Sequence, residues 1–122
     1  MKPEFDTDKS IYLQIAESIE DDILKKIIEE EEQVSSTNQL AALYRINPAT
    51  AAKGINMLVN EGILYKKRGI GMFVSPGAVE KIKTRRKSAF YDKFIIPLLD
   101  EASSLGISKD EITTMISKAK EK

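Results

Sequence analysis

Lys66, Lys67 and Arg68 run straight into Gly69-Ile70-Gly71. Cations beside glycines can bring charge and backbone close to a polyanion, because glycine has no Cβ to hold a partner away. Short β-prone runs flank the stretch, Ile63-Leu64-Tyr65 before it and Met72-Phe73-Val74 after it, so it reads as the tip of a β-hairpin. Arginine at such a tip suits a narrowed DNA minor groove, whereas a solvated basic turn would carry the same residues. A second set lies upstream. Ala49, Lys53, Asn56 and Asn60 recur at helical spacing. On a helix in a major groove, Asn can pair two-pronged with adenine and Lys can reach guanine or phosphate. An ordinary surface helix is the other reading. Ser36 and Thr37 form a third set, where hydroxyls and first-turn N–H groups can hold a phosphate or cap a helix. These two roles are compatible.

Other chemistries lack their residues. The chain has no His and no Cys, so a common general base, disulfides and thiolate metal sites are all missing. It shows no phosphate-binding loop, and outside the acidic stretch that ends in the run Glu29–Glu32 its carboxylates do not cluster. An enzyme is not expected, nor a cofactor, catalytic residues or a metal site. Apolar runs are too short for a membrane span, and residues 1–10 lack the apolar stretch of a secretory leader. A cytoplasmic protein is expected.

Net charge is zero over 122 residues, but it is unevenly spread. Residues 1–44 hold 4 Lys+Arg and 11 Asp+Glu, whereas residues 45–93 hold 11 and 3. A basic stretch of this kind is the footprint of phosphate binding or a solvated face, and charge alone does not choose.

The elements that must carry these residues follow from periodicity. Ile11, Ile15, Ile19, Ile23 and Ile27 recur every four residues, which predicts an amphipathic helix over 10–28. The four glutamates after it read as a helix exit and a solvated loop. Ser36 and Gln39 have capping-box spacing and open a short helix ending near Arg45, with Leu40, Ala41, Leu43 and Tyr44 on its buried side. Asn47 and Pro48 suit the N-cap and first position of a third helix with the stripe Ala51, Ile55, Leu58 and Val59, which Gly62 ends. Two short helices so joined form a helix-turn-helix, and the hairpin supplies a wing. Beyond residue 77, a span over 78–104 carries Pro97, which should kink or split it. Ser108 and Glu111 open a last helix. In this span Phe90, Tyr91, Phe94, Ile95, Leu98 and Leu99 exceed what a helix pair can bury alone. They read as an isologous dimer interface or as packing onto the winged helix. Lys81, Lys83, Arg85, Arg86 and Lys87 read as a solubilising cluster or as contacts to flanking phosphate.

The fold expected is mostly α with a small β-hairpin, a winged helix-turn-helix over 1–75 and two helices for dimerisation over 76–122. The chain resembles the GntR family of bacterial transcription regulators, and within it the YtrA-like subfamily. The residues that carry the likeness are Tyr12-Leu13-Gln14-Ile15, Ser36 with Leu40-Ala41, Asn47-Pro48-Ala49-Thr50, Leu58, Glu61-Gly62 and Arg68-Gly69-Ile70-Gly71-Met72-Phe73-Val74. The resemblance implies DNA contacts by Ser36, Thr37, Asn38, Arg45, Asn47, Thr50, Lys53, Arg68 and Gly69, to which the residue patterns add Ala49, Asn56 and Lys67. Many members have Pro where Ser35 stands and Arg where Asn38 stands; Pro48 follows the YtrA-like pattern. The 47 residues after Ser75 are too few for the large effector domains of most relatives, and in the subfamily this region dimerises.

The function expected is a homodimeric regulator, a repressor of its own or a neighbouring transporter operon, on a pseudo-palindromic double-stranded operator. A winged-helix protein-interaction module without DNA binding is the alternative. A small-molecule effector would fit near Tyr65, Tyr91 or Phe94, and nothing in the sequence identifies one.

Overall fold

Two capping devices set where the central helices begin. In the computed structural model, which describes residues 10–120, the Ser36 hydroxyl accepts from the Gln39 N–H and the Gln39 side chain accepts from the Ser36 N–H. That capping box opens α2 (Thr37–Tyr44). The Asn47 side chain accepts from the Ala49 N–H, and Pro48 takes the first position of α3 (Pro48–Asn60). Before them lies α1 (Ile11–Leu24), and after them β1 (Leu64–Lys67) pairs antiparallel with β2 (Gly71–Val74), Tyr65 facing Phe73. The chain continues as α4 (Ala78–Phe90), a π-helical turn (Tyr91–Ile95), α5 (Ile96–Leu105) and α6 (Lys109–Lys118). The leader-peptide reading concerned residues 1–10, of which 1–9 lie outside the described residues.

One core joins α1, α2, α3, the hairpin and the start of α4. Ile15, Ile19, Ile23, Leu40, Ile55, Leu58, Ile63, Leu64, Val74 and Ile82 are its largest fully buried members. Burying one such side chain contributes about 1.5–3 kcal/mol. This unit runs to Thr84, past the boundary expected at residue 75, because Ala78 and Ile82 belong to its core. A second unit begins at Arg85.

Several expectations need correction. The first helix stops at Leu24, not at residue 28. Lys26 takes a left-handed φ of 60°, and the N–H groups of Ile27 and Ile28 both turn back to the Asp22 carbonyl. Ile27 therefore leaves the stripe and is 66% exposed, and Ile11 at the other end is also exposed. Leu43 was placed on the buried side of α2 but is 61% exposed. The glutamate run is more than a solvated exit. Residues 31–34 run beside β2 as a third edge, through Glu31 N–H to Val74 O (2.8 Å), Val74 N–H to Glu32 O (2.9 Å) and Val34 N–H to Met72 O (2.9 Å). Glu30 serves the start of α4: its carboxylate accepts from the N–H groups of Gly77 (2.9 Å) and Val79 (3.1 Å). These bonds hold its pKa below the ordinary glutamate value.

At Pro97 the expected interruption is seen, the long span dividing into α4, the π-helical turn and α5. The proline sits in the first turn of α5, where its missing N–H is tolerated, and the chain widens into a π turn just before it. The capping box of Ser108 and Glu111 opens α6 as expected.

Candidate nucleic-acid interface

Chain chemistry places the polar face of α3 outward. Ala51, Ile55 and Leu58 are buried, so residues on the opposite side, Ala49, Lys53, Asn56 and Asn60, are exposed along the helix. Thr50 is half-buried. The ammonium of Lys53 lies 4.1 Å from the centroid of the Tyr12 ring, a cation–π contact that steadies a long flexible side chain. Below it, α1 and α3 cross at Gly54. A Cβ there would stand 2.8 Å from the Tyr12 carbonyl oxygen, so only glycine permits the approach. Gly54 was missed by sequence reasoning. The signal was a glycine inside a helix, which costs about 1 kcal/mol against alanine and calls for a packing reason.

The turn between α2 and α3 carries Arg45 and Asn47. Arg45 is exposed in the left-handed region, φ 55° and ψ 49°, where its N–H closes α2 on the Ala41 carbonyl. Asn47 is exposed, with its side-chain oxygen occupied by the cap. At the start of α2, Ser36 and Asn38 are exposed and Thr37 is half-buried. Ser36 places its hydroxyl on the Gln39 N–H at 3.1 Å, so the capping role is realised.

The wing is narrower than its sequence suggested. Strand pairing continues to Lys67 and Gly71, which leaves Arg68-Gly69-Ile70 as the tip. The Ile70 N–H bonds the Lys67 carbonyl at 2.9 Å, and Gly69 takes the φ of 78° that the reversal needs. Lys67 does not project freely: its ammonium lies 4.2 Å from the Phe73 ring and 5.9 Å from the Tyr65 ring. The Tyr65 hydroxyl donates to a Glu31 carboxylate oxygen at 3.2 Å. Gln33, which the sequence did not single out, donates from its side chain to the Ile70 carbonyl at 3.0 Å. A Cβ on Gly71 would come within 2.5 Å of that same amide nitrogen. Of the post-wing cations, Lys81 reaches back to the Gly62 carbonyl at 3.4 Å, a cation at the exit of α3.

All twelve residues predicted to meet DNA thus lie in the first unit, at the start of α2, in the turn after it, along α3 and on the wing. Those predicted for a dimer interface lie elsewhere, from Phe90 to Leu99. Phe90, Tyr91, Phe94 and Leu98 are exposed, while Ile95 and Leu99 are half-buried. Phe90 and Phe94 pack at 5.4 Å between ring centroids. Within the second unit, α5 and α6 leave an apolar groove of about 380 Å³ lined by Leu98, Ala102, Leu105, Ile112, Met115 and Ile116 among others. Among the described residues no group of carboxylates is arranged to hold a metal ion, and no helix is long and apolar enough to cross a membrane.

Comparison with known proteins bears on the same segment. The chain is 26% identical over 114 residues to the uncharacterized HTH-type transcriptional regulator YhcF of Bacillus subtilis (strain 168), covering 92% of this chain and 91% of that protein. It is 34% identical over 68 residues to the HTH-type transcriptional repressor YtrA of the same organism, covering 56% of this chain and 52% of YtrA. Among solved structures, a GntR family transcriptional regulator from Listeria monocytogenes superposes with a TM-score of 0.77 at 28% identity, covering 95% of this chain and 100% of that one. The AraR DNA-binding domain, solved in complex with operator ORX1, matches at 31% identity and a TM-score of 0.51, covering 52% of this chain and 77% of that one. The family described as bacterial regulatory proteins, gntR family, matches residues 11–74, the helices and wing just described. With more than half of its length matched in this way, and YtrA among its relatives, the chain belongs to the gntR family of bacterial regulatory proteins.

Proposed function

We propose that this protein is a cytoplasmic, homodimeric transcriptional repressor that places α3 in the major groove of a pseudo-palindromic operator and its wing over the adjacent minor groove. The observation that carries the reading is the exposed face Ala49-Lys53-Asn56-Asn60, together with the exposed Arg68-Gly69-Ile70 tip of the wing. Small, amide and cationic side chains at that spacing match what base edges and phosphates accept. The likeness to a DNA-binding domain solved on its operator supports the same use of the same elements. YtrA and other relatives that are repressors support repression, and the transporter operon follows the YtrA-like resemblance as a target.

The second unit supports the dimer. Among the described residues from Arg85 onward, Ala102 is the one that is buried, and Phe90, Tyr91, Phe94, Leu98, Leu105, Met115 and Ile116 are all exposed. Such a short, apolar and coreless pair of helices is stable only when another surface covers it. A second copy provides that surface and brings two α3 helices to half-sites about 34–36 Å apart, or a multiple of that.

Selection of bound duplexes from a random pool, followed by anisotropy titrations at several salt concentrations, tests the reading. The selected sequences should be two-fold symmetric. The log–log salt slope should fall by about 0.9 for each neutralised phosphate. Arg68→Ala should weaken binding of every duplex and make the slope shallower by about 1. An Arg68→Ala slope identical to wild type removes the wing from the interface. Failure to enrich any duplex favours instead a winged-helix module for protein partners.

A further inference from the structure

Ile70 is an odd residue to find at the tip of a basic wing. It is 64% exposed, follows Arg68 and Gly69 directly, and lies outside the core that takes in Leu64, Val74 and Met72 of the hairpin. Its backbone is fixed from both sides. The Ile70 N–H bonds Lys67 across the turn, and its carbonyl accepts from Gln33, whose amide fills the space that a Cβ on Gly71 would need. Gln33 is itself bridged to Phe73 on β2, so the tip is tied to the sheet edge. A β-branched side chain on a fixed backbone has little rotamer freedom left to lose. Ile70 is therefore a stiff apolar projection next to the basic run Lys66–Arg68, left largely exposed by the rest of the chain.

We infer that Ile70 is a specificity-determining residue that lies on the floor of the minor groove and selects A·T over G·C pairs beneath the wing. This rests on the proposal that the wing meets DNA. The minor groove is about 6 Å wide and admits a single turn rather than a helix. Its floor shows only acceptors at A·T pairs, whereas guanine adds a 2-amino group. That amino group rises into the space an isoleucine side chain takes and loses its water to an apolar surface that offers no acceptor. The adjacent Arg68 favours a narrow groove for electrostatic reasons, and A·T-rich steps supply it. Apolar side chains do enter minor grooves in other architectures, so the contact is chemically ordinary. What is particular here is its placement by Gln33.

The experiment uses full-length protein and a duplex recovered from the random-pool selection. Each A·T pair is replaced in turn by G·C and by I·C, inosine lacking the 2-amino group. At one position in each half-site, G·C should weaken wild-type binding about tenfold, the scale of a single mismatched pair, and I·C should restore it. Ile70→Val should keep this pattern. Ile70→Ser should reduce the G·C penalty at that position to less than about threefold and leave the salt slope at its wild-type value, because no charge is removed. Equal penalties for Ile70→Ser and wild type at every position overturn the assignment, as does an I·C penalty equal to that of G·C throughout. A selection that enriches no duplex overturns this inference together with the function it rests on, whereas either of the first two outcomes overturns the inference alone.

Discussion

Arg45 shows a residue whose local conformation argues against its own side chain. Its φ of 55° lies in the left-handed region, where a non-glycine residue costs about 1–2 kcal/mol. Glycine would relieve that strain but would lose about 0.4–1 kcal/mol through the freer unfolded chain. The two effects nearly cancel, so Arg45→Gly should leave stability within about 1 kcal/mol of wild type, on the favourable side. If the guanidinium is kept for a phosphate in the turn between α2 and α3, the same substitution should lower duplex affinity and flatten the salt slope by about 1. Thermal melting and anisotropy together decide the matter. A clear loss of stability with unchanged affinity would make Arg45 a structural residue. Strain of this kind persists where a site needs the side chain.

At the scale of elements, the acidic run and the start of α4 are joined by one carboxylate. Glu30 accepts from the N–H groups of Gly77 and Val79, donors that an α-helix leaves without internal partners. The negative charge also meets the positive end of the helix dipole. Both effects favour the ionised form, and the Glu30 pKa is accordingly lowered, the Gly77 bond contributing most. The sign of the linkage follows. A carboxylate with a folded pKa below its unfolded value adds stability that is full above the unfolded value and disappears as pH falls through the folded one. Melting temperature should therefore decline on acidification below the ordinary carboxylate range, near 4.5. Glu30→Gln should be less stable than wild type at pH 7 and should show a smaller decline on acidification. Parallel curves for the two proteins from pH 7 to pH 3 would mean that the cap contributes nothing.

The same scale shows what could be read without coordinates. Both capping boxes, the Asn47-Pro48 start of α3 and the hairpin were legible because each is local: a polar residue, a partner three positions on, or a glycine between β-prone runs. What stayed hidden is tertiary. Glu30 caps a helix that starts some fifty residues later, and Gln33 holds a turn 37 residues away. Neither pairing leaves a trace in spacing. The exposed face of α3 was predicted from its opposite stripe, but the stacking of Lys53 on Tyr12 needs the crossing that Gly54 permits. Ile27 and Leu43 were misplaced for a related reason: periodicity assigns a face, whereas a helix end or a missing neighbour decides whether that face is covered.

At the scale of the whole molecule, apolar exposure is concentrated rather than scattered. Seven of the eleven large hydrophobic side chains exposed among the described residues fall between Phe90 and Ile116. A monomer with such a surface would be prone to non-specific association. In a two-fold interface each residue occurs twice, so one substitution is felt twice. Leu98→Glu would set a carboxylate in the middle of that surface, at a position already 42% exposed, so the isolated subunit has little to lose. In the dimer, two carboxylates would lose water without partners, and breaking polar satisfaction in this way costs about 1–3 kcal/mol per group, more when charged. Wild-type protein should sediment as a dimer at micromolar concentration, and Leu98→Glu as a monomer with an unchanged circular dichroism spectrum. The consequence for DNA is separable from folding. The monomer should bind a duplex with two half-sites no more tightly than a duplex with one, because the gain from linking two binding modules is lost when they are no longer joined. A Leu98→Glu protein that remains dimeric, or a monomer that still prefers the two-site duplex, would place the symmetry of recognition somewhere other than this face.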